Sequence, residues 1–560
     1  MLKNGLLLLI LLSAAGIATS QQLLNDEAVH RMKKDVYVLS SDSMEGREAG
    51  ERGERMAAGY IAERFEMAGL QPYFEDYYQH FDFTNGYAFT GKENYVTVIS
   101  DAGESFHYQH TDYQPMPWGG EGAVTAGIYD AGYGWYNNIS LRSADHKAGI
   151  PQGKIWIIKY GWPDNMISTP HISSMYSRMG AKVNIADSLG AAGVIFVSDT
   201  LYPEFPGNAI TSLTGTYDIP VIFVNDNNLL SHANNAIVKL GVKKEPKHIK
   251  ARNVVGWINN EAAQTVIIGA HYDHLGYGGG TSRSDGTPEI HNGADDNASG
   301  VAAVIKLASW ITKEKLKNKN YIFIAFSAEE KGLVGSKHFA ALEAIDSSTV
   351  FCMLNFDMIG RLDESGKTLN LLAAGSSPQW EQLAANITTD IEVKIKKAGV
   401  SGSDHAPFIK KSIPALFFFS GIHDDYHKPG DDCEKLNYYG MRDIVEYAAN
   451  MILIIDTMKN MVFSAVVETA GRGNRTDMVT LGIVPDHGTT VDGLKISDVI
   501  QHRPAYAAGL KKGDIIIQID DAEVHDIMQY MKALETLKKG TKSTIVVKRD
   551  DEIMSFVIYL

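Results

Sequence analysis

Five short segments carry side chains that bind divalent metals or move protons: His271-Tyr272-Asp273, Asp295-Asp296, Glu329-Glu330, Asp357 and Tyr426-His427. Each follows a run that reads as a strand or loop of an α/β sheet, so the five can meet in one crevice and hold two divalent ions. Neutral imidazole suits zinc, and a nearby carboxylate can fix the ring or support the charge of the ion. Residues two apart on an extended chain face the same side, which puts Asp273 beside His271. The adjacent acids Asp295 and Asp296 exceed what a cap of the following helix needs, and a single carboxylate has two oxygens able to ligate separate ions. The pair Glu329-Glu330 repels at a desolvated site unless one member is neutralised by metal or the other takes up a proton. That divides the roles: Glu330 is available as a ligand, and Glu329 to accept a proton from water and return it to a leaving amine. Each segment alone also fits a surface pair or a helix cap; their joint placement where buried runs end favours the metal site.

The runs that position these groups are Val254 to Ile258, Val266 to Ala270, Tyr321 to Phe326, Val350 to Phe356 and Ala415 to Phe419. They are apolar on both faces, which predicts a sheet covered on both sides, with helices such as Gly300 to Ile311 between the strands. Upstream, Asp26 to Leu39 has helical spacing. In the next helix Met56, Ala57, Tyr60, Ile61 and Phe65 stack on one face, Arg52, Glu54, Glu63 and Glu66 fall elsewhere, and Gly69 sits at a C-cap position. From about 105 to 248 the pattern changes to short β-like runs broken by Gly, Pro and Asn, with Lys182 to Ala192 reading as a helix.

At 560 residues the chain exceeds one core and implies several domains. Its net charge of -15 opposes nucleic acid and anionic lipid as partners. Lys3, the apolar run Leu6 to Leu12 and the small residues ending Ala18-Thr19-Ser20 predict a cleaved secretory signal, hence a periplasmic or extracellular protein with no membrane span after cleavage. Cys352 and Cys433 are the only cysteines, and the sequence leaves their pairing open.

Taken together, the ordered set of five motifs resembles the co-catalytic zinc aminopeptidases of clan MH, which include the bacterial leucyl aminopeptidases. The resemblance implies two Zn2+ per chain, one held by His271, Asp296 and Asp357 and the other by Asp296, Glu330 and His427, with Asp296 as the bridge. It further implies Glu329 as general base, Asp273 as support for His271, and Tyr426 as an oxyanion-stabilising tyrosine that only some relatives draw from this position. Asp431 and Ser403-Asp404-His405 fall where supporting groups belong, and His274 is expected only to make structural hydrogen bonds. The β-rich insertion resembles a protease-associated domain. The stretch from Leu481-Gly482-Ile483 through Pro504 to Gly513-Asp514 resembles a PDZ domain, which would bind an extended C-terminal peptide with backbone amides near Gly482.

The expected layout is a signal over 1–20, catalytic body over 21–105 and 249–465, insertion over 106–248, linker over 466–477 and PDZ domain over 478–560. The expected activity is hydrolysis of N-terminal peptide bonds by a two-metal mechanism, on peptide substrates with a free N-terminus. The alternatives are a zinc-dependent glutaminyl cyclase of the same clan, which normally uses one zinc, and a non-catalytic peptide-binding protein.

Overall fold

The computed structural model describes residues 26–134 (less 90), 152–160, 175–198, 217–226, 229, 236–465 (less 280, 285–286, 364–366 and 401), 481–485 and 493–560 (less 500–502, 525–528, 531–532, 535–536, 538–540 and 551). The signal segment and the linker lie outside these residues. Among the described residues no helix is long and apolar enough to cross a membrane.

The apolar runs form the centre of a nine-stranded mixed sheet. Strands Asn320–Phe326, Thr265–His271, Val350–Phe356 and Ala415–Phe419 lie side by side and parallel. Glu245–Ile258 flanks them on one side and Thr368–Leu372 on the other, both antiparallel to their neighbours. Because the four central strands run one way, all their carboxyl ends emerge at one edge, where His271 ends its strand and Ser327, Asp357 and Ser420 begin the loops.

Period-two alternation sends successive side chains to two cores. Val266, Ile268 and Ala270 pack with the helices Asp26–Leu39, Arg52–Met67, Gly300–Glu314 and Tyr438–Thr457. Ile267, Ile322 and Ile324 face the opposite way, onto Phe339 and Phe408 of two short helices. The fold is therefore mixed α/β with helices on both faces, as the sequence predicts.

The helix Arg52–Met67 differs from its sequence reading in two residues. Met56 is exposed rather than packed, while Glu54 is fully buried against the sheet. Glu54 Oε1 accepts hydrogen bonds from Tyr272 Oη at 2.5 Å and Ser327 Oγ at 3.0 Å, so a tertiary partner overrides the helical wheel. Gly69 follows the helix with φ of 82°, as a C-cap glycine does.

A second, eight-stranded sheet runs from Tyr95–Ile99 to Ile237–Val242. The strand Tyr95–Ile99, which the sequence division at 105 assigns to the catalytic body, pairs instead with Ile237–Val242 of this sheet. Likewise Glu245, placed in the insertion, already belongs to the long strand of the first sheet. A third sheet holds the C-terminal strands between Ile483 and Tyr559. Cys352 and Cys433 are both free thiols.

Candidate metal centre

At the strand edge three imidazoles meet a group of carboxylates, and Asp296 lies between them. Its Oδ1 is 3.3 Å from His271 Nε2, and its Oδ2 is 3.2 Å from His427 Nε2. Asp357 Oδ1 is also 3.3 Å from His271 Nε2, and Glu330 Oε1 is 3.3 Å from His427 Nε2. The ring protons are placed by acceptors that cannot donate. His271 Nδ1 gives its hydrogen to the Asp273 carbonyl at 3.1 Å and His427 Nδ1 to the Thr281 carbonyl at 3.0 Å, so each Nε2 faces the carboxylates, with a lone pair for an ion or a proton in its place.

These spacings suit cations. Donor atoms about 2.0–2.1 Å from one tetrahedral ion lie about 3.3 Å from one another, and nitrogen with carboxylate oxygen is the donor set zinc takes. With an ion bound, those nitrogens would offer it lone pairs and the carboxylates would balance its charge, so the residues present fit divalent metal.

The supporting contacts explain why the segments hold their shape. Asp431 Oδ2 accepts from the backbone amides of Asp295 and Asp296 at 2.9 and 3.0 Å, fixing the loop that carries Asp296. Asp295 turns away from the centre: its Oδ1 accepts from the Gly360 amide at 2.5 Å and its Oδ2 lies 3.3 Å from His423 Nε2. Ser403 Oγ donates to Asp357 Oδ2 at 2.7 Å, whereas His405 bonds away from the centre, to the Gly399 carbonyl at 2.8 Å.

Asp273 stands beside His271, but its carboxylate is 3.8 Å from Nδ1 and is used elsewhere. Oδ1 accepts from the Glu329 amide at 3.0 Å and Oδ2 from the Glu330 amide at 3.4 Å. It thereby anchors the acid pair to the first imidazole segment. The residues at Ala328, Met358 and His427 take positive φ of 57°, 53° and 58°, strain of about 1 kcal/mol or more each, concentrated where the site is built.

The acid pair is electrostatically divided. Burial pushes the Glu329 carboxyl well above the usual range, Glu330 adds to the shift and His271 opposes it. Burial would also raise Glu330, but His427 and hydrogen bonds from His274 and His427 outweigh it and hold that carboxyl low. Burial, then the carboxylates of Asp296 and Glu330, raise the Tyr426 hydroxyl, which stays a donor. The Tyr426 ring packs 3.9 Å from that of His427, under the Arg283 guanidinium at 4.8 Å.

With this geometry in place, residues 253–452 match the family model for peptidase family M28, and residues 473–560 match the PDZ domain. The segment that carries the centre is thus similar to family M28. Aminopeptidase YwaD of Bacillus subtilis is 27% identical over 347 residues, covering 57% of this chain and 64% of the relative. A probable leucine aminopeptidase of Arthroderma otae is 28% identical over 214 residues, covering 36% of this chain and 56% of the relative. The chain thus spans less than two thirds of either. Among solved structures, a zinc aminopeptidase from Bacillus subtilis aligns with a TM-score of 0.46 at 22% identity, over 79% of this chain and 98% of that one.

The catalytic body also relies on residues that the sequence did not single out. Arg47, in a polar stretch after the first helix, is buried beneath the centre. Its guanidinium donates to the carbonyls of Tyr272 at 2.7 Å, Asn292 at 2.8 Å and Gly293 at 2.8 Å, and also to that of Leu39. Arg47 therefore ties the His271 segment to the Asp296 segment. Burial lowers its pKa to about 10, with Asp296 and Asp273 opposing, so it remains a cation at neutral pH. Gly46, with φ of 66°, lets this strap pass the Gly276 carbonyl, which an added Cβ would meet at 2.4 Å.

Arg47→Met keeps the bulk and removes the donors, leaving buried carbonyls unpaired at about 1–3 kcal/mol each. A loss of at least about 4 kcal/mol over the four carbonyls should lower the thermal midpoint by roughly 8 °C or more for a body of this size. Differential scanning calorimetry checks this; a change under about 2 °C would show that the strap does not depend on the guanidinium.

Proposed function

We propose that this chain is an exported two-zinc aminopeptidase that removes N-terminal residues from peptides. His271, Asp296 and Asp357 would hold one ion, and Asp296, Glu330 and His427 the other. The observation that carries this reading is Asp296, whose two oxygens face two separate imidazoles at 3.3 and 3.2 Å. Bound zinc would supply Lewis-acid polarisation of the scissile carbonyl and make water a stronger acid.

The chain's own residues do the rest. Glu329 takes a proton from the attacking water and later gives it to the amine that leaves, so the carboxyl ends the cycle as it began. Asp273 holds Glu329 in place through its amide. The Tyr426 hydroxyl donates to the oxygen that becomes negative as the carbonyl turns tetrahedral. Support for export comes from the Lys3 to Ser20 pattern. At the PDZ domain, Gly482 with φ of 78° precedes Ile483, the arrangement for capturing a peptide carboxylate on backbone amides.

The test is a zinc-loaded assay on aminoacyl-p-nitroanilides beside the same substrates with blocked amines. Cleavage of the free-amine set alone is expected. Equal cleavage of blocked substrates would refute the aminopeptidase assignment, and cyclisation of a glutaminyl peptide without hydrolysis would point to the cyclase chemistry.

A further inference from the structure

His274 enters the centre from the same segment as His271 and is fully buried. Its Nδ1 lies 3.1 Å from Glu330 Oε1 and 3.8 Å from Asp296 Oδ2. Those are the two oxygens that His427 Nε2 faces at 3.3 and 3.2 Å. His274 Nδ1 and His427 Nε2 thus face the same two carboxylate oxygens at 3.1–3.8 Å, against about 3.3 Å between donors on one zinc ion, and His274, Asp296 and Glu330 form one group able to hold an ion.

The ring's seat is prepared on every side. The His274 amide donates to the Arg47 carbonyl at 3.1 Å, and residue 274 forms a parallel bridge with Glu48 of the strap. Gly293, with φ of 55°, makes room for the imidazole, because a Cβ there would lie 2.5 Å from His274 Cδ2. His274 Nε2 is buried with no hydrogen-bond partner among the described residues. Nothing on that side sets the orientation of the ring; the Nδ1 side does. A ring needed only to orient Glu330 would have no reason to face Asp296 as well.

We infer that His274 is a metal ligand through Nδ1, giving the second ion four protein ligands, His274, Asp296, Glu330 and His427, while the first keeps three. This rests on the two-ion reading above. It makes the centre asymmetric: the ion beside His271 is the more readily exchanged, and the ion beside His274 and His427 the more firmly held.

Zinc X-ray absorption on the loaded wild-type chain, with zinc content measured in parallel, decides it. About three imidazoles per chain are expected for the wild type and about two after His274→Asn. Asparagine places an amide near the Nδ1 position and can still donate to Glu330, so it preserves a merely orienting hydrogen bond while being a poor ligand. The variant should also weaken the firmly held zinc by at least about 100-fold, the upper end of what loss of an orienting partner gives. A wild-type count of two imidazoles, or no change on substitution, overturns the assignment; the wild-type count stands even if the variant does not fold. Fewer than two zinc ions on the wild type would instead refute the two-ion reading, and the change in imidazoles per chain would still judge His274.

Discussion

Glu329→Gln is expected to bind zinc as the wild type does and to lose about 10²–10⁴-fold in kcat, the contribution of a positioned general acid and base. Glutamine fills the same volume and leaves the Glu329 amide to Asp273 Oδ1 undisturbed, but it cannot carry the proton from water to amine. The shifted charge balance makes the assignment selective. Glu330 faces the imidazoles of His274 and His427 at 3.1 and 3.3 Å and would be taken up by an ion there, which leaves Glu329 as the member of the pair to exchange protons. Steady-state kinetics beside metal analysis check the outcome. A zinc-replete variant with near wild-type turnover would remove Glu329 from the mechanism.

Asp296→Ala should have the most severe effect on metal content, because one side chain faces both imidazole groups. Both ions should weaken by more than about 100-fold, beyond the range for residues that act only through a ligand, and hydrolysis should fall to background. The neighbouring Asp295→Asn is the control. Asp295 bonds to the Gly360 amide and lies against His423 rather than entering the centre, and asparagine can keep an acceptor toward Gly360. Zinc titration of both variants gives the comparison. Retention of two ions by Asp296→Ala, with their loss in Asp295→Asn, would reverse the assignment of the two acids.

The parallel strands were legible because burial on both faces leaves a run of apolar residues that no surface element needs. Their polar endings were legible for the same reason: His271, Asp357 and Glu329-Glu330 each follow a stretch that could not itself carry charge. What could not be read was set by distant contacts. Arg47 is one basic residue in a polar stretch, with no periodicity to distinguish it, and its importance lies in carbonyls more than 200 positions away. Glu54 looks like the solvent side of a helix until Tyr272 and Ser327 meet it. His274 sits one residue past a recognisable motif, and only the fold brings it over Glu330. The placement of Tyr95–Ile99 was missed because an alternating strand does not announce which sheet it joins.

The way the second sheet is spliced into the first bears on how the chain assembles. Tyr78–Ala88 pairs with Glu245–Ile258, two strands joined only through a long detour, and tethering such distant partners in an unfolded chain is entropically slow. The detour, however, begins and ends with Tyr95–Ile99 and Ile237–Val242 zipped together. Once that inner clasp has closed, the outer strands are separated by a few residues at each end instead of the whole excursion. A closed inner clasp therefore leaves the outer pairing only a short loop to close.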